Sequence, residues 1–430
     1  MEFDGLRRVI EDQRESYRKL LSGHIIAREL DRKKAVSALA KPNVLAVLGV
    51  RRSGKSTLAL TLFKEEPAHV NFDDEALYGL RAADLNDVLK ALYMTYGRDR
   101  IILLDEIQNV PGWELFVARI RDTERIIITG SNAVLLGSEL ATHLTGRHID
   151  MVLFPFSFRE FLEYKGIKID HRSHSTAASM ASEPAAEEYI NAGGFPEAYI
   201  LGKDIVSSIY NDIITKDVVK RHKIRDIAAL LSLSNFLVSN FSKEITYGSM
   251  TGSFGIKNIS TVRKYVAYLE EAYLVFQLER FSKNLKRKAL APRKIYAIDT
   301  GVIGVVFPGA WNNKGRLMEN VVATELMRRK AYWKHFTDLY YWKDHQQREV
   351  DFVVVKEGNA VQLIQVSYSV ADPETRSRET SALLRAAAEL GCNSLVCITW
   401  NYEAIEDAEG KMIRYVPLWR WLLSNAEGLL

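Results

Sequence analysis

One stretch of eight residues, Gly49-Val50-Arg51-Arg52-Ser53-Gly54-Lys55-Ser56, constrains the fold more than any other. It fits the spacing G-x-x-x-x-G-K-[ST], in which a glycine turn joins a buried strand to a helix and wraps phosphate oxygens. The flanks agree with that reading. Asn43 to Leu48 is a short apolar run ending at the first glycine, and Thr57 to Phe63 (TLALTLF) reads as the opening of a helix. Such a turn aims several backbone N–H groups and the positive end of a helix at one point. Lys55 is expected to reach the β- and γ-phosphates of a bound ATP, and Ser56 to ligate Mg²⁺. Gly49, Arg51, Arg52, Ser53, Gly54 and Thr57 complete the expected phosphate cradle.

A second motif, Ile101-Ile102-Leu103-Leu104-Asp105-Glu106, has four apolar residues followed by two acids. The apolar run predicts a strand buried on both faces. Ligands of open α/β sheets bind outside the carboxyl ends of the strands, which puts Asp105 beside the glycine turn. Asp105 is expected in the Mg²⁺ shell and Glu106 at the attacking water, the division of labour that hydrolysis requires. A third run, Arg125 to Thr129, ends in Gly130-Ser131-Asn132; Ser131 either senses the γ-phosphate or caps a helix.

At 430 residues the chain has room for two or three domains. Hydrophobic content of 47% and charged content of 26% are those of a soluble globular protein. No apolar run approaches the roughly 18 residues of a membrane span, and the charged start lacks a signal-peptide core. A cytoplasmic protein is expected. The two cysteines, Cys392 and Cys397, sit in an apolar run without partner ligands and read as buried side chains. A net charge of +4 is mild, so its local distribution matters more.

Taken in order, residues 1 to about 40 read as helix, with Arg28 and Glu29 more suited to a solvated face than to the nucleotide. From Asn43 to about Asp150, apolar runs alternate with helical stretches, which predicts a mostly parallel sheet. Asp73 and Asp74 follow its second strand. Arg147 precedes the last strand and either contacts a γ-phosphate, in cis or from a neighbouring subunit, or forms a surface ion pair. Residues 166 to 190 include a stretch rich in Ser, Ala and His, expected as a mobile insertion with His171 and His174 solvated. Gly193-Gly194-Phe195-Pro196 reads as a tight turn opening a helix.

Residues 191–295 are expected to form a helical and winged-helix domain. Leu230 to Phe241 is amphipathic, Ser260 caps a second helix, and Leu274 to Phe281 alternates like the strand of a wing. The second helix exposes Arg263 and Lys264 to a DNA backbone or groove. The adjoining basic run carries Lys283, Lys286, Arg287, Lys288, Arg293 and Lys294 with no acid, a cluster that would release counterions on binding DNA. Residues 296–430 follow an α-β-β-β-α-β order with a hairpin at Gly358-Asn359.

The motifs GVRRSGKST, ILLDEIQNV, ITGSNA, PFSFREF, GGFPEAY, GRLMENVVATEL, REVDFVV and LIQVSYS together resemble a prokaryotic family of AAA-like P-loop ATPases, much expanded in archaea and close to the STAND and AAA+ groups. The resemblance implies α/β architecture throughout: an ATPase domain over 1–165, a winged-helix segment, and a C-terminal domain similar to PD-(D/E)XK nucleases. Rings are common in such ATPases, so a homo-oligomer, even a hexamer, is implied. Carried over by position, the nuclease acids match Glu319 and Asp351, both expected to hold Mg²⁺. The next motif, acid-x-Lys, is replaced by Gln365-Val366-Ser367. Gln365 can still offer an oxygen to a hard cation, whereas Ser367 cannot supply a positive charge; Lys343 is a possible substitute. Two functions follow: an ATP-driven DNA-processing enzyme, or a STAND-like switch whose C-terminal domain only docks.

Overall fold

The apolar runs on either side of the glycine turn pair into one parallel sheet. The computed structural model describes residues 2–30, 32–40, 42–133, 146–170, 176–333 and 337–424. Strands β1 (Val44–Leu48), β2 (Ala68–Asn71), β3 (Ile102–Asp105), β4 (Ile126–Gly130) and β5 (His148–Val152) lie in the order β2-β3-β4-β1-β5. Every pairing is parallel, with Val44 opposite Ile126 on one side and His148 on the other. All five residues of β1 are buried, the signature of a central strand covered on both faces. The helix Phe3–Leu21 packs Leu6 and Ile10 into the same core as Val44, Leu104 and Ile128. This unit comprises Met1–Phe154 with Glu271–Tyr273.

The second unit, Pro155–Glu270 with Leu274–Leu430, holds a nine-stranded mixed sheet. Its strands are β6 (Lys243–Ile245), β7 (Val275–Arg280), β8 (Arg293–Ala297), β9 (Thr337–Lys343), β10 (Glu349–Lys356), β11 (Asn359–Ser367), β12 (Leu395–Thr399), β13 (Ala404–Ala408) and β14 (Lys411–Pro417). They run in the order β13-β14-β12-β11-β10-β9-β7-β8-β6. The α-β-β-β-α-β pattern is present, and β13 and β14 extend it. The hairpin turns at Glu357-Gly358, one position earlier than expected, with φ of 51° and 80° at the two residues.

Three expectations are corrected here. The division at 295/296 falls inside β8, and β7 pairs with both β8 and β9, so the wing is an interior part of the large sheet. Residues Thr176–Ala192 form a helix despite their Ser/Ala composition, because Ala185, Ala186, Tyr189 and Ile190 give it a buried stripe; His171 and His174 lie outside the described residues. The amino-terminal region is two helices, Phe3–Leu21 and Arg32–Leu39, with Arg28 in the non-helical link between them.

Two local features explain sequence signals within the second unit. A Cβ on Gly193 would lie 2.1 Å from Asp299 Oδ1, and one on Gly194 would lie 2.5 Å from the Phe156 carbonyl. Asp299 instead accepts the Gly194 N–H at 2.5 Å, and Pro196 opens the helix Pro196–Leu201. The helix Lys314–Tyr332 is buried almost all round, so it shows no apolar stripe. Asn320 pins it to β8 by bonding both the N–H and the carbonyl of Ala297 at 2.9 Å. The helix Ile259–Glu271 begins where Asn258 Oδ1 accepts the Ser260 N–H, so Asn258 rather than Ser260 supplies the cap. Among the described residues, no helix is long and apolar enough to cross a membrane.

Candidate functional site

The glycine turn leaves β1 and enters the helix Lys55–Thr61. Gly49 has φ of +141°, and a Cβ there would sit 2.1 Å from the Leu153 carbonyl, so only glycine lets the turn pass β5. Gly54 has φ of +93° at the helix entry. Lys55 is buried and donates to the Val50 carbonyl at 3.2 Å, its ammonium held inside the curl of the loop. The Ser53 hydroxyl is buried with no hydrogen-bond partner among the described residues. Arg51 pairs with Asp73 at 3.4 Å, and the exposed Arg52 takes the left-handed conformation with φ of 66°. Ser56 and Thr57, both half-buried, lie in the first turn of that helix.

Asp105 and Glu106 emerge at the end of β3, which β4 separates from β1. Burial pushes the Asp105 carboxyl up, but His69, Thr129 and Ser56 outweigh burial and hold it below the ordinary aspartate value. Thr129 donates to Asp105 Oδ1 and accepts the Glu106 N–H at 3.0 Å, locking the two acids in one geometry. Glu106 has φ of 51°, a left-handed conformation kept at the strand end by these bonds. One of its oxygens lies 3.7 Å from Lys55 Nζ. Gln108 donates to the other, and the Ser131 hydroxyl lies 3.5 Å from that same oxygen. An ionised aspartate, a serine beside it, an enclosed ammonium and an unpartnered hydroxyl fit a Mg²⁺-bound triphosphate in chemistry.

Three features of this site were not legible in the residue pattern. Arg28 reaches the glycine turn, donating to the Ser53 carbonyl at 2.8 Å. His69 on β2 places Nε2 3.6 Å from Asp105 Oδ2, and Thr129 joins the two acids. Arg147, by contrast, does not reach the site of its own chain. It precedes β5 at the amino ends of the parallel strands, one strand length from their carboxyl ends, and lies 3.7 Å from Asp122 in an exposed ion pair. Asp74 caps the turn Glu75–Leu77 and accepts from Gln13, while Asp73 faces the loop through Arg51.

The second group of expected site residues forms a separate cluster in the nine-stranded sheet. Glu319 and Asp351 are brought together as the sequence implied, but the cation between them is Lys294. Its Nζ lies 2.8 Å from Glu319 Oε1, 2.8 Å from Asp351 Oδ1 and 2.5 Å from Glu349 Oε1. Lys294 is therefore buried on β8 rather than solvated in the basic run. Gln365 accepts the Asp351 N–H at 3.2 Å and donates to Glu379 at 2.6 Å. Ser367 bonds the Ser369 carbonyl, and Lys343 pairs with Glu244 and with the outer oxygen of Glu349.

Of the expected DNA contacts, Lys264, Lys283, Lys286 and Arg287 are exposed. Arg263 lies over the Tyr247 ring at 5.4 Å, as Arg293 does from β8 at 5.6 Å. Lys288 pairs with Glu279 at 3.0 Å.

A five-stranded parallel sheet whose glycine turn, lysine and strand-end acids converge at the carboxyl ends of its strands defines an AAA-type P-loop ATPase domain. An AAA-domain signature matches residues 41–162, and two domains of unknown function, DUF8612 and DUF4143, match 183–309 and 314–421. The uncharacterized protein MJ1544 of Methanocaldococcus jannaschii is 34% identical over 411 residues, covering 89% of this chain and 89% of its own. An uncharacterized protein of Haemophilus influenzae is 27% identical over 396 residues, covering 87% and 94%. The chain belongs to the family of MJ1544, and in this chain the AAA domain precedes DUF8612 and DUF4143. Among solved structures, Cdc6p from Pyrobaculum aerophilum is 15% identical over 70% of this chain and 96% of that one, with a TM-score of 0.24 too low to support a conclusion.

Proposed function

We propose that the chain binds and hydrolyses Mg²⁺-ATP at the carboxyl ends of the strands of the five-stranded sheet and engages DNA through its second unit. The observation that carries the hydrolytic part is the fixed relation of Lys55, Asp105 and Glu106. Lys55 and the loop N–H groups hold the phosphates, while Ser56 and the ionised Asp105 hold Mg²⁺, which would draw charge from the transferred phosphoryl group. Glu106, oriented by Thr129 and Gln108, takes the position of the group that polarises the attacking water.

The DNA part is supported by the basic side chains that gather from two separated stretches. Arg263 and Arg293 meet at Tyr247, while the exposed Lys264, Lys283, Lys286 and Arg287 leave cationic groups for phosphates. One observation favours the second reading, a nucleotide-dependent switch with a docking domain: β7 is held between β8 and β9 and is not a free wing.

Lys55→Ala and Glu106→Gln test the hydrolytic reading together. The first should lose nucleotide. The second should retain ATP on a desalting column with turnover reduced by roughly 10² or more; wild-type turnover in either would overturn the assignment.

A further inference from the structure

The family resemblance of the C-terminal domain implies a divalent metal between Glu319 and Asp351. The side chains there do not fit one. An ammonium has three N–H donors, and those of Lys294 face three carboxylates, Glu319, Asp351 and Glu349, at 2.5 to 2.8 Å. Some of the remaining lone pairs are engaged as well. Asp351 Oδ2 accepts the Val366 N–H at 3.0 Å, and Tyr296 donates to Glu319 at 2.8 Å. Gln365, the third expected ligand, uses its carbonyl oxygen on Asp351 N–H and its amide on Glu379. A hard cation in this place needs six or more oxygen ligands at about 2.0–2.6 Å. The lysine nitrogen already stands at the point to which these oxygens converge.

We propose that Lys294 is the resident cation of this cluster, standing where a divalent metal would have to sit, so that the domain holds its fold without metal-dependent strand cleavage.

The physical basis is compensation of buried charge. Three carboxylates this close repel one another unless a cation lies among them, and a buried ion left unpaired is strongly destabilising. Lys294 supplies that charge from a strand already joined to β7 and β6, so the cluster doubles as the tie between β8, the helix Lys314–Tyr332 and β10. Removing the ammonium would leave an oxygen-rich pocket of net negative charge, the environment that Mn²⁺ and Mg²⁺ prefer.

The test is a cation exchange in the full-length, nucleotide-free chain, read by Mn²⁺ electron paramagnetic resonance and by thermal melting. Wild type should bind no Mn²⁺ that depends on Asp351, so wild type and Asp351→Asn should give the same Mn²⁺ titration. Lys294→Met should melt lower in EDTA, recover on adding Mn²⁺, and take up about one Mn²⁺ per chain more than wild type. Adding Asp351→Asn to Lys294→Met should abolish that uptake. Mn²⁺ bound by wild type and lost in Asp351→Asn would overturn the proposal, as would a folded Lys294→Met that takes up none. If Lys294→Met does not fold, the comparison of wild type with Asp351→Asn decides alone. The proposal is independent of the ATP site, whose own metal is unaffected by either substitution.

Discussion

Arg28 donates to the Ser53 carbonyl at 2.8 Å, tying the extended link after the first helix to the crown of the phosphate loop. Its second N–H group bonds the Phe154 carbonyl at 2.6 Å, just past β5. The guanidinium thus fixes two backbone segments with one rigid fork, which a lysine cannot reproduce. Hydrogen bonds to a charged group contribute about 1.5–3 kcal/mol each. Arg28→Ala is therefore expected to weaken ATP binding by roughly tenfold or more, measured by titration with a fluorescent ATP analogue, with a smaller loss of melting temperature.

Gly49 is the position at which the loop has no room. Gly49→Ala would place a methyl group 2.1 Å from the Leu153 carbonyl and force a side chain into φ of +141°. The strand exit must shift, at a cost of several kcal/mol by analogy with other strained backbone sites. Loss of both nucleotide binding and cooperative melting of this unit is expected; a well-folded Gly49→Ala protein with normal ATP affinity would show that the loop is not built as described.

Acid stability should carry the mark of Glu66. Hydrogen bonds from Arg14, then from Arg18, hold its carboxyl down to about 2. Because the folded value lies below the unfolded one, the group contributes stability above about pH 4.5 that is lost as pH falls toward 2. Glu66 is a third exposed and Arg14 a quarter, so solvent screening limits this to on the order of 1 kcal/mol or less. Glu66→Gln should lower stability at neutral pH and flatten the pH dependence between those two values, as followed by denaturant melts.

DNA engagement predicts a salt signature. Reversing Lys283, Lys286 and Arg287 to Glu should weaken binding of duplex DNA and make its affinity less steep against salt concentration, with ATP turnover in the absence of DNA unchanged. An unaltered salt slope would favour the docking reading, because the basic run would then be merely solvated.

The five parallel strands, the glycine turn and the acids of β3 were all legible in the residue pattern, since each depends on local runs and on spacings of a few residues. Glycine at 49 and 54, lysine at 55 and paired acids at 105 and 106 carry their geometry with them. The fate of charged side chains was not legible in the same way. Arg28 and Lys294 both occur in charged stretches that read as solvent-facing, and both prove to be inward. Arg147 reads equally as a phosphate contact or a surface ion pair, and strand direction decides for the ion pair by putting it at the far end of the sheet.

The sequence by itself determined that this chain holds a triphosphate loop beside a strand-end aspartate, because hydrophobic periodicity and glycine placement are written within single elements. Only the tertiary structure decided which cation meets Glu319 and Asp351, and that the wing strand lies inside a nine-stranded sheet. Those outcomes depend on contacts between strands and helices tens of residues apart. There the energy of a buried charge is set by whatever partner the fold delivers to it, and neighbours along the chain say nothing of that.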